Sequence, residues 1–417
     1  MKEALLHCIW EHQLFDKRNL RTDSGEKLQI LDQGELNDNA GPDFSQAKVR
    51  IANMEWFGAI EIHEKSSHWF AHAHDTDPAY NRTVLHVVWD NNRPTQRQDQ
   101  SLIPTLSLAG IVGKDVLGRA ERLLNQGGKQ PCASHLANMQ KDLIQETFSN
   151  ALNQRMARKQ IDIEAILAEV DYDWEELSYR LLARALGSHI NAEAMYNLAK
   201  RVPLKYIRRC GHDSKAIQAL LLLVSGLEER ATRPKSNLEK NDFAFLTIKF
   251  DLQDSIMSPN WWRFSRLRPA NFPTVRIAQL AVLLAENEHL FTLLVKHDAA
   301  DLRSRFRTVH ETSAAVDNIR PIGLETIDGI IRNVSAPLMF AFSDFVGNAD
   351  YKLKGLQHLR DLRPENNRIT REWLANGINL HDSYDAQGAI EQFNANCLQK
   401  KCLSCPIGQE MIKGVCF

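Results

Sequence analysis

The sequence has almost no net charge. Its 417 residues include 51 Lys and Arg against 52 Asp and Glu, which gives a formal net charge of -1 at pH 7. A histone-like polyanion binder needs a large basic excess and an acidic tail needs the opposite, so both classes are excluded. The hydrophobic content of 43% and the charged content of 25% also exclude a disordered chain and a collagen-like fibre. Any affinity for nucleic acid must therefore come from local patches.

Long hydrophobic runs are missing as well. The most apolar stretches, such as residues 217–227, are too short to cross a bilayer as a helix. Near the start of the chain, Glu3, His7 and Glu11 interrupt the region in which a secretory signal needs an unbroken apolar core. These two absences predict a cytoplasmic protein without a membrane partner.

Cysteine is scarce, and its seven copies form an odd number, which excludes a disulfide scaffold and favours a reducing compartment. Four of them crowd into the last 21 residues with the spacing C-x4-C-x2-C-x10-C. So short a tail has little reason to fold without a bound metal, so the sequence predicts a four-thiolate site for Zn²⁺ or an iron–sulfur cluster. The predicted ligands are Cys397, Cys402, Cys405 and Cys416.

The hydrophobic periodicity changes along the chain. The first ninety residues read as helix, three strands, helix and strand, whereas residues from about 140 to 395 have helical spacing almost throughout. We therefore predict an α/β domain over 1–130 with a mixed sheet and flanking helices, a large all-α domain over 131–395, and a four-cysteine metal-binding tail over 396–417.

Acidic residues gather on the predicted strands of the first domain. Pro42-Asp43 lies at the mouth of one strand, and Glu61 lies inside the next, with His63 and Lys65 on its face because side chains alternate along a strand. Two carboxylates held close together repel unless a cation lies between them, and oxygen ligands suit Mg²⁺ or Mn²⁺. Glu35, in the preceding turn, is a candidate third carboxylate.

This layout resembles the core of the PD-(D/E)XK nuclease superfamily, whose fold is restriction-endonuclease-like. The resemblance implies that Asp43 and Glu61 bind one or two metal ions, that Glu35 assists, and that the acid-x-basic position orients or deprotonates the attacking water. The chain departs from the family at His63, where a lysine is usual, and Lys65 two residues later is a possible substitute.

Histidines are concentrated directly after these strands. Their number beside the acid pair favours an active-site wall, in which Asp77 and Tyr80 orient histidine rings or phosphate. A separate zinc site and isolated surface histidines are the alternatives. The set, called here the histidine cluster, comprises His63, His68, His72, His74 and His86.

A basic segment with interleaved aromatics follows in the helical region, in NWWRFSRLRPANFP and the helix after it. Guanidinium groups and aromatic rings together suit phosphates and stacked bases, whereas the plainer interpretation is a helix junction with core tryptophans. The candidate nucleic-acid ligands are Arg263, Arg266, Arg268 and Arg276.

The whole chain also resembles an uncharacterised family of bacterial proteins, through GPDF, EIHEKSSHW, HAHDTDPAYN, LHVVWDN, RPANFPTVRIAQLA and CLSCPIG. That resemblance implies no activity. The function expected from the sequence is a divalent-metal-dependent nuclease acting on DNA or RNA. The alternatives are an inactive nucleic-acid-binding protein with a nuclease-like fold and a zinc-dependent hydrolase that uses the histidine cluster. Because the chain has no Walker-type phosphate loop, a separate helicase or ATPase is a possible partner.

Overall fold

The computed structural model describes residues 2–37, 39–228, 250–307 and 321–414. The chain forms two compact units. The first comprises residues 1–148, 371–379 and 389–417, and the second comprises residues 149–370 and 380–388. The coarse prediction of a mixed sheet followed by a large helical region is confirmed. The predicted boundaries at 130 and 395 stay predictions.

The first unit is built on a six-stranded mixed sheet. Its strands are β1 (Leu28–Asp32), β2 (Glu35–Leu36), β3 (Phe44–Ile51), β4 (Met54–Lys65), β5 (Thr83–Asp90) and β6 (Thr105–Ser107). The order is β1-β3-β4-β5-β6, with β2 paired to β3 beside β1. The β1, β2, β3 and β4 pairings are antiparallel, whereas β5 runs parallel to β4 and β6 runs parallel to β5.

Strand β4 changes environment halfway along its length. Its first four residues, Met54 to Phe57, are exposed, whereas Ile60 to His63 are buried. Its neighbour β5 is buried over its first six residues, as expected for a strand covered on both faces. The polar side chains Glu61, His63 and His86 therefore lie in the interior, where each needs a partner.

Helices flank this sheet. Helix α1 (Glu3–Glu11) buries Leu6, Ile9 and Trp10 completely. The parallel crossover from β4 to β5 runs through a single helical turn, α2 (His68–Ala71), and a 3₁₀ turn at Pro78–Arg82. This crossover carries His68, His72, His74 and Tyr80, so it places them beside β4. Helix α3 (Lys114–Asn125) and a C-terminal helix (Pro406–Lys413) also belong to this unit.

The second unit is helical in its described residues, around a core to which Leu182, Leu198, Leu220 and Leu280 contribute with no exposed surface. Three helices cross the boundaries between the residue ranges of the two units: Lys141–Glu169, Arg368–Ala375 and Ser383–Glu391. The other helices are Trp174–Leu186, Ser188–Arg201, Leu204–Arg208, Ser214–Ser225, Pro273–Glu286, Leu290–Lys296, Leu324–Ile330, Ala336–Val346 and Ala349–Arg360.

The continuous helical pattern over residues 274–294 forms two helices, Pro273–Glu286 and Leu290–Lys296. The break falls at Asn287, which has extended backbone angles and whose side chain donates to the carbonyl of Leu283 at 2.9 Å. This side-chain bond ends the first helix, as Asn commonly does. Among the described residues, no single helix has the length and apolar character to cross a membrane; this pair reaches that length together but is bent by 88°.

Candidate metal and active site

Backbone hydrogen bonds fix the carboxylates of Asp43 and Glu61 beside each other. Asp43 directly precedes β3, and Glu61 lies in the buried half of β4 with 4% of its surface exposed. The backbone N–H of Asp43 donates to Glu61 Oε2 at 3.1 Å, and that of Ile62 donates to Asp43 Oδ2 at 2.8 Å. Each strand thus orients the carboxylate of the other.

His7, on α1, approaches the acid pair from outside the sheet. Its Nε2 lies 3.3 Å from Asp43 Oδ2. Burial lowers the pKa of His7, but the close contact with Asp43 and the charges of Asp43, Glu3 and Glu61 outweigh it and leave this pKa raised. His7 was not predicted from the sequence as a site residue. The i, i+4 spacing of Glu3, His7 and Glu11 on one helix face is the signal that could have identified it.

The histidine cluster adjoins Glu61. Glu61 Oε1 lies 3.2 Å from His74 Nε2 and 3.5 Å from His63 Nε2. His63 also shares hydrogen bonds with His72, at 3.1 Å, and with His86, at 2.9 Å. The buried carboxylate therefore continues into a connected network of imidazoles.

Two aromatic rings support this network. Tyr80 stacks on His74 with 3.7 Å between the ring centroids, and Trp69 packs at 5.3 Å from His86. Asp77 caps the 3₁₀ turn that carries Tyr80, because its carboxylate accepts from the backbone N–H of Ala79 at 2.9 Å. Tyr80 therefore orients a histidine ring directly, whereas Asp77 acts only through the turn that carries Tyr80. Trp69 was not predicted from the sequence.

Burial sets the protonation of the interior groups. Burial, and then the neighbouring imidazoles, lower the pKa of His63 to about 2 and that of His86 to about 3. Burial raises the pKa of Glu61; the charge of Asp43 adds to this, while the hydrogen bond from His74 opposes it. His63 is thus a neutral imidazole at pH 7, able to accept a proton or bind a metal.

One group of at least three His, Cys, Asp or Glu ligand atoms lies mutually within 4.8 Å in the described ranges. It consists of His63, His72 and His74. Together with Glu61 Oε1 these residues offer imidazole nitrogen and carboxylate oxygen, a donor set that suits Zn²⁺, Mn²⁺ or Fe²⁺ better than Mg²⁺.

The remaining predicted residues of the site lie nearer its edge. Glu35, on β2, is exposed, and its carboxylate accepts from Gln46 Nε2 at 3.3 Å. Lys65 is exposed at the end of β4, two residues beyond His63. His68 is partly buried, with its ring 6.1 Å from that of His63.

The four predicted arginine ligands differ in exposure. Arg263, Arg266 and Arg268 are exposed in the second unit. Arg276 is 5% exposed, and its guanidinium donates to Asn271, Gln279 and Thr326. Its bonds therefore lie within the protein, which argues against a nucleic-acid contact for this residue.

The predicted cysteine ligands Cys397, Cys402 and Cys405 lie in the first unit as free thiols. Cys416 lies outside the described residues.

We expect the metal-free protein to lose stability as the pH falls below about 6.5. The unfolded chain then protonates His63 and His86, which stay neutral when folded, so each lowers the free energy of unfolding with a slope that approaches about 1.4 kcal/mol per pH unit well below pH 6.5. The raised pKa values of His7 and Glu61 act in the opposite direction. The pH dependence is therefore measured as a difference between variants.

Urea unfolding of chelator-treated protein at pH 6.5, 6.0 and 5.5 makes that comparison. Between pH 6.5 and 5.5, His86→Gln should reduce the loss of unfolding free energy by about 1 kcal/mol, because an unfolded histidine is only half protonated at pH 6.5. His289→Gln, which changes an exposed histidine of the second unit, should leave it unchanged. If the free energy of unfolding depends equally on pH in wild type and in His86→Gln, the assignment of His86 as a buried neutral histidine is contradicted.

A family model described as "Protein of unknown function (DUF2851)" matches residues 3–368. No curated protein matches the chain, and no solved structure matches it. The match covers the strands, the acid pair and the histidine cluster, and ends before Cys397. The chain therefore belongs to the DUF2851 family.

Proposed function

We propose that the first unit is a metal-dependent phosphodiester hydrolase, a nuclease acting on DNA or RNA. The observation that carries this proposal is the fixed pair of Asp43 and Glu61 on an antiparallel hairpin, with the imidazoles of His63 and His74 against Glu61. The order of a helix, this hairpin and a crossover to the parallel strand β5 supports the resemblance to the PD-(D/E)XK superfamily.

The donor set fits a divalent transition metal. Glu61, His63, His72 and His74 would hold it, with Asp43 directly before the neighbouring strand β3. When bound, such a metal supplies positive charge to a phosphate and lowers the pKa of a bound water. Of the two ions expected from the sequence, Mn²⁺ fits imidazole ligands better than Mg²⁺, so we propose Mn²⁺.

His63 has a different role from the lysine of the superfamily. With a pKa of about 2 it carries no positive charge at neutral pH, so it cannot replace that of a lysine. It can accept a proton or serve as a ligand. The exposed ammonium group of Lys65 would contact the phosphate instead, and Glu35 remains a candidate helper.

An open groove beside the acid pair offers a surface for the substrate. It is lined by Pro42, which precedes Asp43, and by the side chains of Trp56, Phe57 and Arg82. Trp56 is 41% exposed and Phe57 is 71% exposed, which is unusual for large aromatics on a sheet. Aromatic rings next to a guanidinium group bind single-stranded nucleic acid by stacking and charge.

We expect the double variant Trp56→Ala/Phe57→Ala to raise KM for a single-stranded oligonucleotide by about 10- to 100-fold, since stacking contributes about 1–3 kcal/mol per base. The value of kcat and the unfolding midpoint should change little because both rings are exposed. Leu31→Ala, which removes an exposed apolar side chain of β1 outside the lining of this groove, is the control. An unchanged KM in the double variant would exclude this groove as the substrate surface.

Cleavage of labelled single- and double-stranded DNA and RNA tests the activity itself. The assay compares Mg²⁺, Mn²⁺ and Zn²⁺ in chelator-treated wild type and Asp43→Ala. The proposal expects cleavage with Mn²⁺ that the variant loses. No cleavage of any substrate, with binding retained, would instead support an inactive nucleic-acid-binding protein. Stimulation by a separate helicase or ATPase would be sought only after cleavage is seen.

A zinc-dependent hydrolase of small phosphoesters is the second candidate. The compact group of His63, His72 and His74 favours it, since three imidazoles are a frequent ligand set of catalytic zinc. This candidate expects tightly bound zinc that survives mutation of all four tail cysteines, and hydrolysis of a chromogenic phosphoester without cleavage of nucleic acid.

A further inference from the structure

Four free cysteines surround one cavity in the first unit. Cys132 comes directly before the 3₁₀ helix Ala133–Asn138, and Cys397 ends a π-helical turn. Cys402 and Cys405 lie in the segment that leads into the C-terminal helix. All four line this cavity, and all four lack a disulfide partner. Cys132 is separated from the other three by more than 260 residues and was not predicted from the sequence as a ligand.

The thiols share a buried environment. Cys132, Cys397 and Cys402 are each 8% exposed. Burial, and then the neighbouring thiols of Cys405 and Cys402, raise the pKa of Cys132 to about 12. Four thiols gathered in the interior without disulfide bonds repel one another when ionised, and a bound metal centre compensates for that repulsion.

Hydrogen-bond donors converge on Cys405. Gln392 Nε2 donates to its Sγ at 3.1 Å, and the backbone N–H groups of Ile407 and Gly408 donate to the same sulfur from the first turn of the C-terminal helix. Such donors stabilise a thiolate rather than a thiol. The π-helical turn Gln392–Cys397 brings Gln392 and Cys397 to the same cavity, and π turns are frequent at functional sites.

We propose that Cys132, Cys397, Cys402 and Cys405 bind an iron–sulfur cluster. Three of the four follow the C-x4-C-x2-C spacing found in plant-type ferredoxins, and Cys132 supplies the fourth thiolate. In this proposal Cys132 takes the place that the sequence analysis gives to Cys416 as the fourth ligand.

The distances between the thiols favour a cluster over a single zinc ion. With a Zn–S bond of about 2.3 Å, tetrahedral zinc holds its sulfurs about 3.8 Å apart. Within the described ranges, no three of the cysteine sulfurs all lie within 4.8 Å of one another. One zinc ion requires its sulfurs to lie closer together than this, whereas a cluster distributes its thiolate ligands over more than one iron.

The test compares two cysteine variants of the full-length protein purified without air from iron-replete cells. Wild type should contain iron and acid-labile sulfide, with a broad visible absorption that dithionite bleaches. Cys132→Ser should lose at least about 90% of the iron, whereas Cys416→Ser should keep it. Loss of iron in Cys416→Ser with retention in Cys132→Ser would overturn the assignment of the fourth ligand. One zinc per chain in wild type, with no iron or sulfide, would overturn the cluster.

A measurement on wild type keeps the proposal testable even if Cys132→Ser does not fold. Native alkylation followed by mass spectrometry should find Cys132, Cys397, Cys402 and Cys405 protected together. All four should become reactive together when the cluster is destroyed by oxidant and chelator. Alkylation of Cys132 while the other three remain protected would exclude it from the centre. Because neither readout depends on cleavage of nucleic acid, the nuclease proposal and this one can fail separately.

Discussion

Glu61→Gln is expected to lower kcat/KM for metal-dependent cleavage of nucleic acid by about 10²- to 10³-fold, the scale of losing one pre-oriented charged group from an active site. The substitution keeps the shape of the side chain but removes the negative charge that faces His74 and His63. It also replaces an acceptor of the Asp43 N–H with a group that can be an amide donor. Metal affinity and catalysis should therefore fall together.

The matched control is Glu55→Gln, on the same strand. Glu55 is exposed and pairs with Lys48 and Arg50 at the outer end of the β3–β4 hairpin. Exposed ion pairs contribute about 0–1 kcal/mol, so cleavage should stay within about twofold of wild type. Initial rates at saturating Mn²⁺, together with Mn²⁺ titration by calorimetry, check both variants. Wild-type rates in Glu61→Gln would remove Glu61 from the active site and sink the nuclease proposal.

Trp69→Ala is expected to destabilise the first unit by about 3–5 kcal/mol, the usual cost of deleting a fully buried tryptophan. Trp69 has no exposed surface, and its ring packs against His74, Tyr80 and His86. Its indole N–H also donates to the carbonyl of Gln96 at 2.9 Å. The cavity would open next to the histidine cluster, so Mn²⁺ affinity should fall as well.

Two further tryptophan variants separate these contributions. Trp69→Phe keeps an aromatic ring but loses the hydrogen bond, and we expect a smaller loss of about 1–3 kcal/mol. Trp261→Ala removes a side chain of the second unit that is 45% exposed, and it should lower the free energy of unfolding by no more than about 0.5–1 kcal/mol. Urea unfolding followed by circular dichroism supplies the comparison. A Trp69→Ala midpoint equal to that of Trp261→Ala would contradict the supporting role of Trp69.

Local sequence patterns predict the strands well where alternation or a β-branched run is unbroken. The run at residues 83–90 is strand β5. Alternation over residues 47–51 predicts a strand there, but β3 begins earlier, at Phe44, because Gln46 adopts a positive φ of 57° and the register with β4 shifts between Phe44 and Ala47. A local irregularity of this kind interrupts the period-two pattern without ending the strand.

Residues that meet through the tertiary fold are harder to find from spacing. Asp43 and Glu61 are separated by one hairpin, so their proximity follows from neighbouring strands. His7 reaches Asp43 only because α1 packs on the sheet, and Cys132 reaches Cys405 only because the chain returns to the first unit after the second. No local pattern contains either contact.

The first unit is discontinuous, and this has a consequence for biosynthesis. Its sheet is made first, but residues 371–379 and 389–417 are made only after the whole second unit. Arg119 on α3 donates to the carbonyls of Ile412 and Lys413, so α3 acquires these partners only after almost all of the chain has been made. On the ribosome, the second unit can be folded while the first is still incomplete. A nascent chain stalled before residue 389 would therefore expose the interior of the unit that it had begun first, and that intermediate is the one in greatest need of a chaperone.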